Sequence, residues 1–340
     1  MIREYYSRQI VLRELGEEGQ EKLLKARVAV VGVGGLGSIA STYLTLAGVG
    51  YIKIIDHDIV EIHNLHRQVL YDPSEVGYPK VEVAARKLEK MNPQVKVEPI
   101  PEHLNASNAE KLLSDVNVIV DGLDNMSTRY ILNRVSIKHR IPYIFAGAIG
   151  LEGNITVINP PETPCLECIF PKVDDNLLPT CETRGVIGAT PGIIGAIEAM
   201  EAIKIIAGIN GTLKGKLLIC DFKTMEFYKI EIKRRENCSA CKGNGEMEIP
   251  PPKTTWICGK GIINVNPTKP IKIDLKKLKE EISKKHKVKI VTGIMIAIEY
   301  EGRDVSIFQN GRMIIRGVKS EEEAITLYNK ILKEIIETQN

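Results

Sequence analysis

A valine-rich run, Arg27-Val28-Ala29-Val30-Val31, passes directly into Gly32-Val33-Gly34-Gly35-Leu36-Gly37, and the small-residue stretch Leu36–Ala47 follows with helical spacing. A β-branched run this short reads as a buried parallel strand. Glycines at its end let the backbone turn sharply and let a ligand come close, while a helix starting there offers free amides and a positive dipole end to anions. G-x-G-x-x-G in that setting, with Asp56 closing the next apolar run Tyr51–Asp56, predicts a nucleotide-binding βαβ unit whose carboxylate meets a ribose hydroxyl. The alternative is a tight strand–helix turn that needs glycine for packing alone. The spacing leaves the identity of the nucleotide open.

The same alternation continues. Lys80–Met91 is helical in period and stops before Pro93, and Val116–Asp121 and Pro142–Gly147 read as strands around a helix over Asn125–His139. This predicts an α/β fold with a doubly wound, mostly parallel sheet over about the first 150 residues. From Asn159 to Pro191 the text is irregular, as in a functional loop or insert; Ala196–Ala207 returns to helix and Gly215–Ile232 to a strand pair. Pro250-Pro251-Pro252 marks a stiff linker, so the expected organisation is a domain at 1–245, a linker at 246–255 and a small α+β domain at 256–340. Within that last part, Asp274–His286 reads as a helix, Ile294–Tyr300 and Asp304–Gly317 as strands with a turn at Asn310-Gly311, and Ser320 with Glu323 as a capping box opening a final helix to about Ile336.

Charge is nearly balanced, 46 Lys and Arg against 43 Asp and Glu, too even to argue for nucleic acid or a membrane surface. No apolar run approaches the roughly 18 residues of a membrane span, and Met1–Tyr6 has no apolar signal core, so the cytoplasm is the expected location. Seven cysteines in such a chain favour metal or thiol chemistry over a disulfide framework. Cys165-x-x-Cys168 and Cys238-x-x-Cys241 can each clip half of a tetrahedral site; together they predict a closed, structural Cys₄ zinc centre rather than two redox pairs. Cys181 stands apart in a polar loop, with Arg184 close enough in sequence to favour a thiolate. Cys220 reads as a buried strand cysteine, and Cys258 is ambiguous.

A polar run follows Asp56: His57, Asp58, Glu61, His63, Asn64, His66, Arg67 and Gln68. Asn64 and Arg67, in a loop after a nucleotide-binding strand, suit ribose and phosphates better than a metal. Lys80 and Asp124, in Asp121-Gly122-Leu123-Asp124-Asn125, fall at element ends on the sheet's carboxyl edge, where α/β ligands sit. Each is equally readable as a solvated surface charge.

Taken in order, Ser7-Arg8-Gln9-Ile10, the Gly32–Gly37 turn, Asp56-His57-Asp58, Asn64-Leu65-His66-Arg67-Gln68, Gly77-Tyr78-Pro79-Lys80, Asp124-Asn125, both cysteine pairs and Glu198–Ile203 resemble the MoeB/ThiF/HesA group, relatives of the ubiquitin-activating enzymes. The resemblance covers about residues 3–245; the tail resembles an extension attached to some ThiF-like proteins. It implies a Rossmann-like fold that uses ATP and Mg2+ to adenylate the Gly-Gly carboxylate of a ubiquitin-like sulfur-carrier protein, for molybdopterin, thiamine or tRNA sulfuration. On that resemblance Gly32, Gly34, Gly35 and Gly37 line the nucleotide, Asp56 takes the ribose with Asp58 beside it, and Asn64, Arg67, Gln68 and Lys80 contact ATP. Asp124 holds magnesium, flanked by Leu123 and Asn125. Arg8 matches an arginine reaching a partner subunit's site, which implies a homodimer. Cys181, in Cys-Glu-Thr-Arg-Gly-Val, matches the reactive cysteine that would form a thioester or acyl-persulfide.

Two other enzyme readings compete. An NAD- or FAD-dependent oxidoreductase is permitted by the glycine turn, but hydride transfer does not call for Arg8, Arg67 and Lys80 around the phosphates. A tRNA-modifying dehydratase of the same superfamily also adenylates, yet the paired cysteine motifs and Cys181 favour the carrier branch. A binding module contacting RNA through Lys276–Lys289 is opposed by the lack of aromatic residues among those lysines, so nucleic acid is not an expected partner. The tail has no recognisable cysteine loop of a sulfur-transferring domain, so sulfur is expected from an external donor.

Overall fold

The computed structural model describes residues 2–179, 181–243, 253–256, 261–267 and 271–339, without the side chains of residues 2, 3, 176, 181, 182 and 337–339. Residues 246–252 of the expected linker 246–255, and Cys258, therefore lie outside the described residues. The chain divides into two compact units, the larger within residues 1–250 and the smaller mostly within 251–340.

The larger unit is built on one eight-stranded sheet, β1 (Arg27–Val31), β2 (Tyr51–Ile55), β3 (Lys96–Ile100), β4 (Val118–Asp121), β5 (Tyr143–Ile149), β6 (Glu152–Ile158), β7 (Lys216–Asp221) and β8 (Glu226–Glu231), in the order β3-β2-β1-β4-β5-β6-β7-β8. The pairs from β3 to β5 are parallel, with Val30 opposite Ile54 and Val120, and those from β5 to β8 are antiparallel. Valine and isoleucine bury β1 and β4 on both faces, as a parallel sheet covered by helices requires. Its helices are α1 (Ile2–Tyr5), α2 (Ser7–Ile10), α3 (Gly16–Lys25), α4 (Gly35–Ala47), α5 (Lys80–Met91), α6 (Ala109–Leu113), α7 (Met126–His139), α8 (Leu166–Ile169), α9 (Cys181–Arg184) and α10 (Ala189–Ala207).

Strand β3 is not among the strands read from sequence, and α10 starts earlier than read; each holds a proline. Strand β3 contains Pro99, but β3 is an edge strand, where a missing N–H leaves no ladder bond unmade. Helix α10 begins seven residues before Ala196, and Pro191 sits in its first turn, where the amide has no helical acceptor. The early start lets α10 run along α4, with Gly195 so close that a Cβ there would lie 2.5 Å from the Leu36 carbonyl oxygen.

The smaller unit has an all-antiparallel six-stranded sheet, β9 (Thr254–Trp256), β10 (Ile262–Val265), β11 (Lys287–Val291), β12 (Met295–Tyr300), β13 (Arg303–Phe308) and β14 (Met313–Arg316), ordered β11-β12-β13-β14-β10-β9. Helices α11 (Leu275–Ile282) and α12 (Glu321–Gln339) share one core with it, around Ile298, Ile307, Leu278 and Ile331. The Asn310-Gly311 turn connects β13 to β14 as its chemistry predicts, with Gly311 at φ +83°. The capping box forms with a shift: the Glu323 N–H donates to Ser320 Oγ at 3.2 Å, while its carboxylate accepts from the Lys319 N–H at 2.7 Å. No helix among the described residues is long and apolar enough to cross a membrane.

Candidate active site

The turn between β1 and α4 lies at the carboxyl edge of the parallel strands, and its glycines do two different jobs. Gly32 has φ +86°, and a Cβ on Gly37 would fall 1.9 Å from the Gly32 carbonyl oxygen, so these two exist for close packing of turn against helix. Gly34 is different: the nearest atom to a Cβ there is Gln68 Nε2, at 3.6 Å. Packing thus accounts for Gly32 and Gly37, while the backbone at Gly34 is open to close approach.

Asp56 ties the turn to the next loop. Its Oδ2 accepts from the Val33 N–H and its Oδ1 from the Asp58 N–H, each at 2.8 Å. Tyr71 closes the other side, its hydroxyl donating to the Val33 carbonyl at 2.8 Å. Asp58 in turn receives the Lys80 ammonium at 2.9 Å, and the Lys80 N–H donates to the Asp58 carbonyl at 3.0 Å. Lys80 is 5% exposed. Burial alone would push its pKa down, but the Asp58 and Asp56 carboxylates and, more weakly, Asp124 more than offset that and hold it above the ordinary lysine range. A charged ammonium is therefore kept ready beside the turn.

The segment after Asp56 folds back as a 3₁₀ turn, Ile62–Asn64, from which the Arg67 and Gln68 amides hydrogen-bond to the Asn64 carbonyl. Arg67 is half-buried, its Nη1 donating to the His63 carbonyl at 2.7 Å and lying 3.0 Å from His66 Nε2. Gln68 is 3% exposed, and its carbonyl oxygen has no hydrogen-bond partner among the described residues. An orphaned buried acceptor beside an open glycine is the chemistry of a site shaped for a polar ligand.

On the far side of β1, the Asp121–Asn125 turn leads into α7. Asp124 is exposed, with Asn125 Nδ2 at 3.3 Å from its Oδ1, and Asn125 caps α7 by accepting from the Thr128 N–H at 2.9 Å. What shapes this turn is Arg129, which the sequence reading missed. It is buried, pairs through Nε with Asp121 at 3.2 Å, and donates through Nη2 to the Leu123 and Ala146 carbonyls, each at 2.6 Å. Asp121 also accepts from the Tyr143 hydroxyl. The available signal was spacing: Arg129 lies one turn beyond the Asn125 cap, on the inward face. Glu198 of α10 is fully buried, and neither of its carboxylate oxygens has a hydrogen-bond partner among the described residues. Burial first, then the Asp121 carboxylate, raise its pKa well above the carboxylate range despite Arg129.

Arg8 does not join this cluster within one chain. Its neighbour Gln9 bonds the Ala47 carbonyl at the end of α4 opposite the glycine turn, roughly 20 Å away at 1.5 Å per helical residue. Cys181 opens the short helix α9, and its side chain lies outside the described residues. Arg184, expected to favour a thiolate there, instead pairs with Glu152 at 2.6 Å. Cys220 is buried in β7, as read from sequence.

The four paired cysteines do converge. Cys165 Sγ is 3.5 Å from Cys238 Sγ and 3.8 Å from Cys168 Sγ, and Cys168 Sγ is 3.6 Å from Cys241 Sγ. A tetrahedron with Zn–S bonds of about 2.3 Å has edges of about 3.8 Å, so the donor set fits zinc. Burial raises the Cys165 pKa, and it also raises that of Cys241, to about 11; Cys168 is held low against burial by the Arg235 and Cys165 amides. Helix α7 braces the cluster: Asn133 Oδ1 accepts from the Leu166 N–H at 2.9 Å, and Arg134 grips Glu167 with Nε at 2.6 Å and Nη2 at 2.8 Å.

Comparison with known proteins agrees with this geometry. The ThiF family model matches residues 6–240, and the model "Transcription factor TFIID (or TATA-binding protein, TBP)" matches residues 262–338. The adenylyltransferase and sulfurtransferase MOCS3 of Culex quinquefasciatus is 40% identical over 71% of this chain, which spans only 56% of that relative. The sulfur carrier protein adenylyltransferase of Thermus thermophilus is 39% identical over 69% of this chain and 89% of its own length; the SAMP-activating enzyme E1 of Haloferax volcanii is 40% identical over 72% and 90%. Among solved structures, E. coli MccB with MccA-N7isoASN aligns at TM-score 0.62 and 27% identity over 70% of this chain and 76% of that one, and MccB with ATP at 0.59 and 25% over 66% and 68%. With its glycine turn, its Asp56–Lys80 network and its four-cysteine cluster in the matched region, the chain belongs to the ThiF family.

Proposed function

We propose that this protein is an ATP-dependent adenylyltransferase acting on the C-terminal Gly-Gly carboxylate of a ubiquitin-like sulfur-carrier protein. The observation that carries this reading is the buried, charged Lys80 set beside an open glycine turn and the orphaned Gln68 carbonyl. In the reaction a carboxylate oxygen attacks the α-phosphorus, the bond to the bridging oxygen breaks, and pyrophosphate leaves with the electron pair. Two anions must meet, so preorganised cations lower the barrier. Lys80 supplies one without changing its protonation, and Arg67 supplies a second by leaving the His63 carbonyl. The Gly34 and Gly35 backbone lies against the phosphates at the start of α4, with Gly32 and Gly37 shaping the turn. Asp56 uses two lone pairs on the turn and keeps the others for a ribose hydroxyl. Asn64, Gln68, Leu123 and Asn125 border the nucleotide.

Asp124 would hold magnesium, whose charge, when bound, neutralises phosphate oxygens. Zinc would sit in the Cys165, Cys168, Cys238, Cys241 cluster as a structural ion with no open position. Such reduced thiolates suit a cytoplasmic location. Cys181 then captures the activated acyl group, with sulfur from an external donor. Arg8, remote from its own chain's site, serves the partner's site in a homodimer; the exposed Tyr43, Leu46, Ile193 and Met200 on the packed helices α4 and α10 support such an interface. Residues 1–245 would be the adenylating domain, 246–255 the linker, and 256–340 an appended α+β domain. Pyrophosphate exchange with each Gly-Gly carrier of the same genome tests the reading: ATP-dependent exchange with at least one carrier is expected, and NAD binding without exchange would overturn it.

A second reading concerns the smaller unit alone. Its match to a TATA-binding protein model favours a nucleic-acid contact there, whereas pairing of Lys289 with Glu299 and Asp304 weakens its basic surface. A mobility shift of tRNA or duplex DNA that weakens with salt would support that contact.

A further inference from the structure

The loop that leads to Cys181 is held on α7 by side chains that the adenylation chemistry does not use. Tyr130 holds its start: the hydroxyl donates to the Phe170 carbonyl at 2.8 Å and accepts from the Val173 N–H at 2.9 Å. Asp175 then seats its carboxylate on the first turn of α7, accepting from the Met126 N–H at 2.5 Å, the Ser127 N–H at 3.0 Å and the Ser127 hydroxyl. These are two amides that the Asn125 cap, engaged with Thr128, leaves unmet. Asp175 thus completes the N-terminal capping of α7 from a distant stretch of chain. In doing so it fixes the loop two residues beyond Asp124.

On the other side of Cys181 the chain is fixed again. Arg184 pairs with Glu152, the Gly150 N–H donates to the Gly185 carbonyl at 2.9 Å, and Thr190 Oγ1 donates to the Gly150 carbonyl at 3.0 Å. The chain on either side of Cys181 is therefore anchored, at Asp175 near the carboxyl end of β4 and at Arg184 and Gly185 beyond that of β5. Leu177, just past the first anchor, is 82% exposed.

We propose that Asp175 is a positioning residue: its grip on Met126 and Ser127 sets where Cys181 stands when the acyl group is captured. This rests on the reading of Cys181 given above. In that step the Cys181 thiolate attacks the acyl carbon of the carrier's adenylate, the bond from that carbon to the phosphate oxygen breaks, and AMP leaves with the electron pair. The product is a thioester, with no change of oxidation state. Adenylation itself, handled at Lys80, Arg67 and Asp124, does not pass through Asp175.

The test compares wild type, Asp175→Ala, Asp175→Asn and Cys181→Ser in the full chain with a carrier that supports exchange. Pyrophosphate exchange should stay within about twofold of wild type in Asp175→Ala and Asp175→Asn, and Cys181→Ser serves as the adduct-free control. Formation of the thiol-sensitive carrier adduct should slow by about tenfold to a hundredfold in Asp175→Ala, the scale of a misplacement near 1 Å, and recover in part in Asp175→Asn, whose side-chain oxygen still accepts one amide. Thermolysin cleavage before Leu177 or Leu178 in the native protein should be faster in Asp175→Ala, since local opening becomes easier. An adduct rate or a cleavage rate equal to wild type in Asp175→Ala overturns the proposal alone. Absence of the adduct in wild type, with exchange intact, instead overturns the role of Cys181.

Discussion

Substituting alanine at two glycines of one turn separates packing from ligand approach. At Gly37 the new methyl would stand 1.9 Å from the Gly32 carbonyl oxygen, 3.0 Å from its carbon and 3.2 Å from Val30 Cγ1. Backbone cannot yield as a side chain can, so turn and helix must part by more than about 1 Å, an overpacking cost of about 2 kcal/mol. For a unit of this size each kcal/mol shifts Tm by about 2–4 °C, so Gly37→Ala should melt roughly 4–8 °C lower. At Gly34 the methyl meets only Gln68 Nε2 at 3.6 Å, an ordinary contact. Gly34→Ala should therefore melt within about 2 °C of wild type while its KM for ATP in pyrophosphate exchange rises about tenfold, because the methyl occupies the approach to the phosphates. Calorimetry and exchange on the two variants decide the matter. If Gly34→Ala leaves the KM unchanged, the turn is a packing device only and the nucleotide sits elsewhere.

Asp124→Ala should lower pyrophosphate exchange about a thousandfold with zinc content unchanged, through loss of metal charge stabilisation; near-normal exchange would refute the assignment. Protein purified without chelator should carry about one zinc per chain, and Cys168→Ser should lose it and melt at lower temperature; a metal-free, equally stable wild type would remove the claim. Burial holds the Glu198 pKa well above that of an unfolded-chain glutamate, which ionises near pH 4.3, so its contribution to stability falls as pH rises from that value toward its folded pKa. Glu198→Gln should accordingly gain stability relative to wild type at pH 7–8 and lose that gain below about pH 4 in urea titrations; a pH-independent difference would mean that Glu198 is ionised when folded.

Much of this molecule was legible because local chemistry and tertiary outcome agree. The Gly32–Gly37 turn, Asp56 at the end of β2 and the Cys165/Cys238 pairing all fall where spacing puts them. The misreadings share a cause, since each turned on a position whose meaning depends on its neighbours in space. Pro191 closes an irregular stretch in the sequence until one knows that it lies in a first helical turn. Arg184, read beside Cys181, also has a partner in Glu152 that local spacing does not show. Arg129 and Asp175 carry no motif at all. They matter because α7 starts next to Asp124, and only the fold brings residue 175 back to that start.

The cysteine cluster also sets an order of events during synthesis. Cys165 and Cys238 are 73 residues apart, and the intervening stretch holds the Cys181 segment, α10 and the antiparallel strands β7 and β8. At about 5–20 residues per second, the ribosome takes roughly 4–15 s to deliver the second pair after the first has emerged. Through that interval the parallel half of the sheet, with the glycine turn, Lys80 and Asp124, is already complete in the nascent chain, while Cys165 and Cys168 wait unpaired. The half of the protein that carries the glycine turn is thus made before the two cysteine pairs can meet.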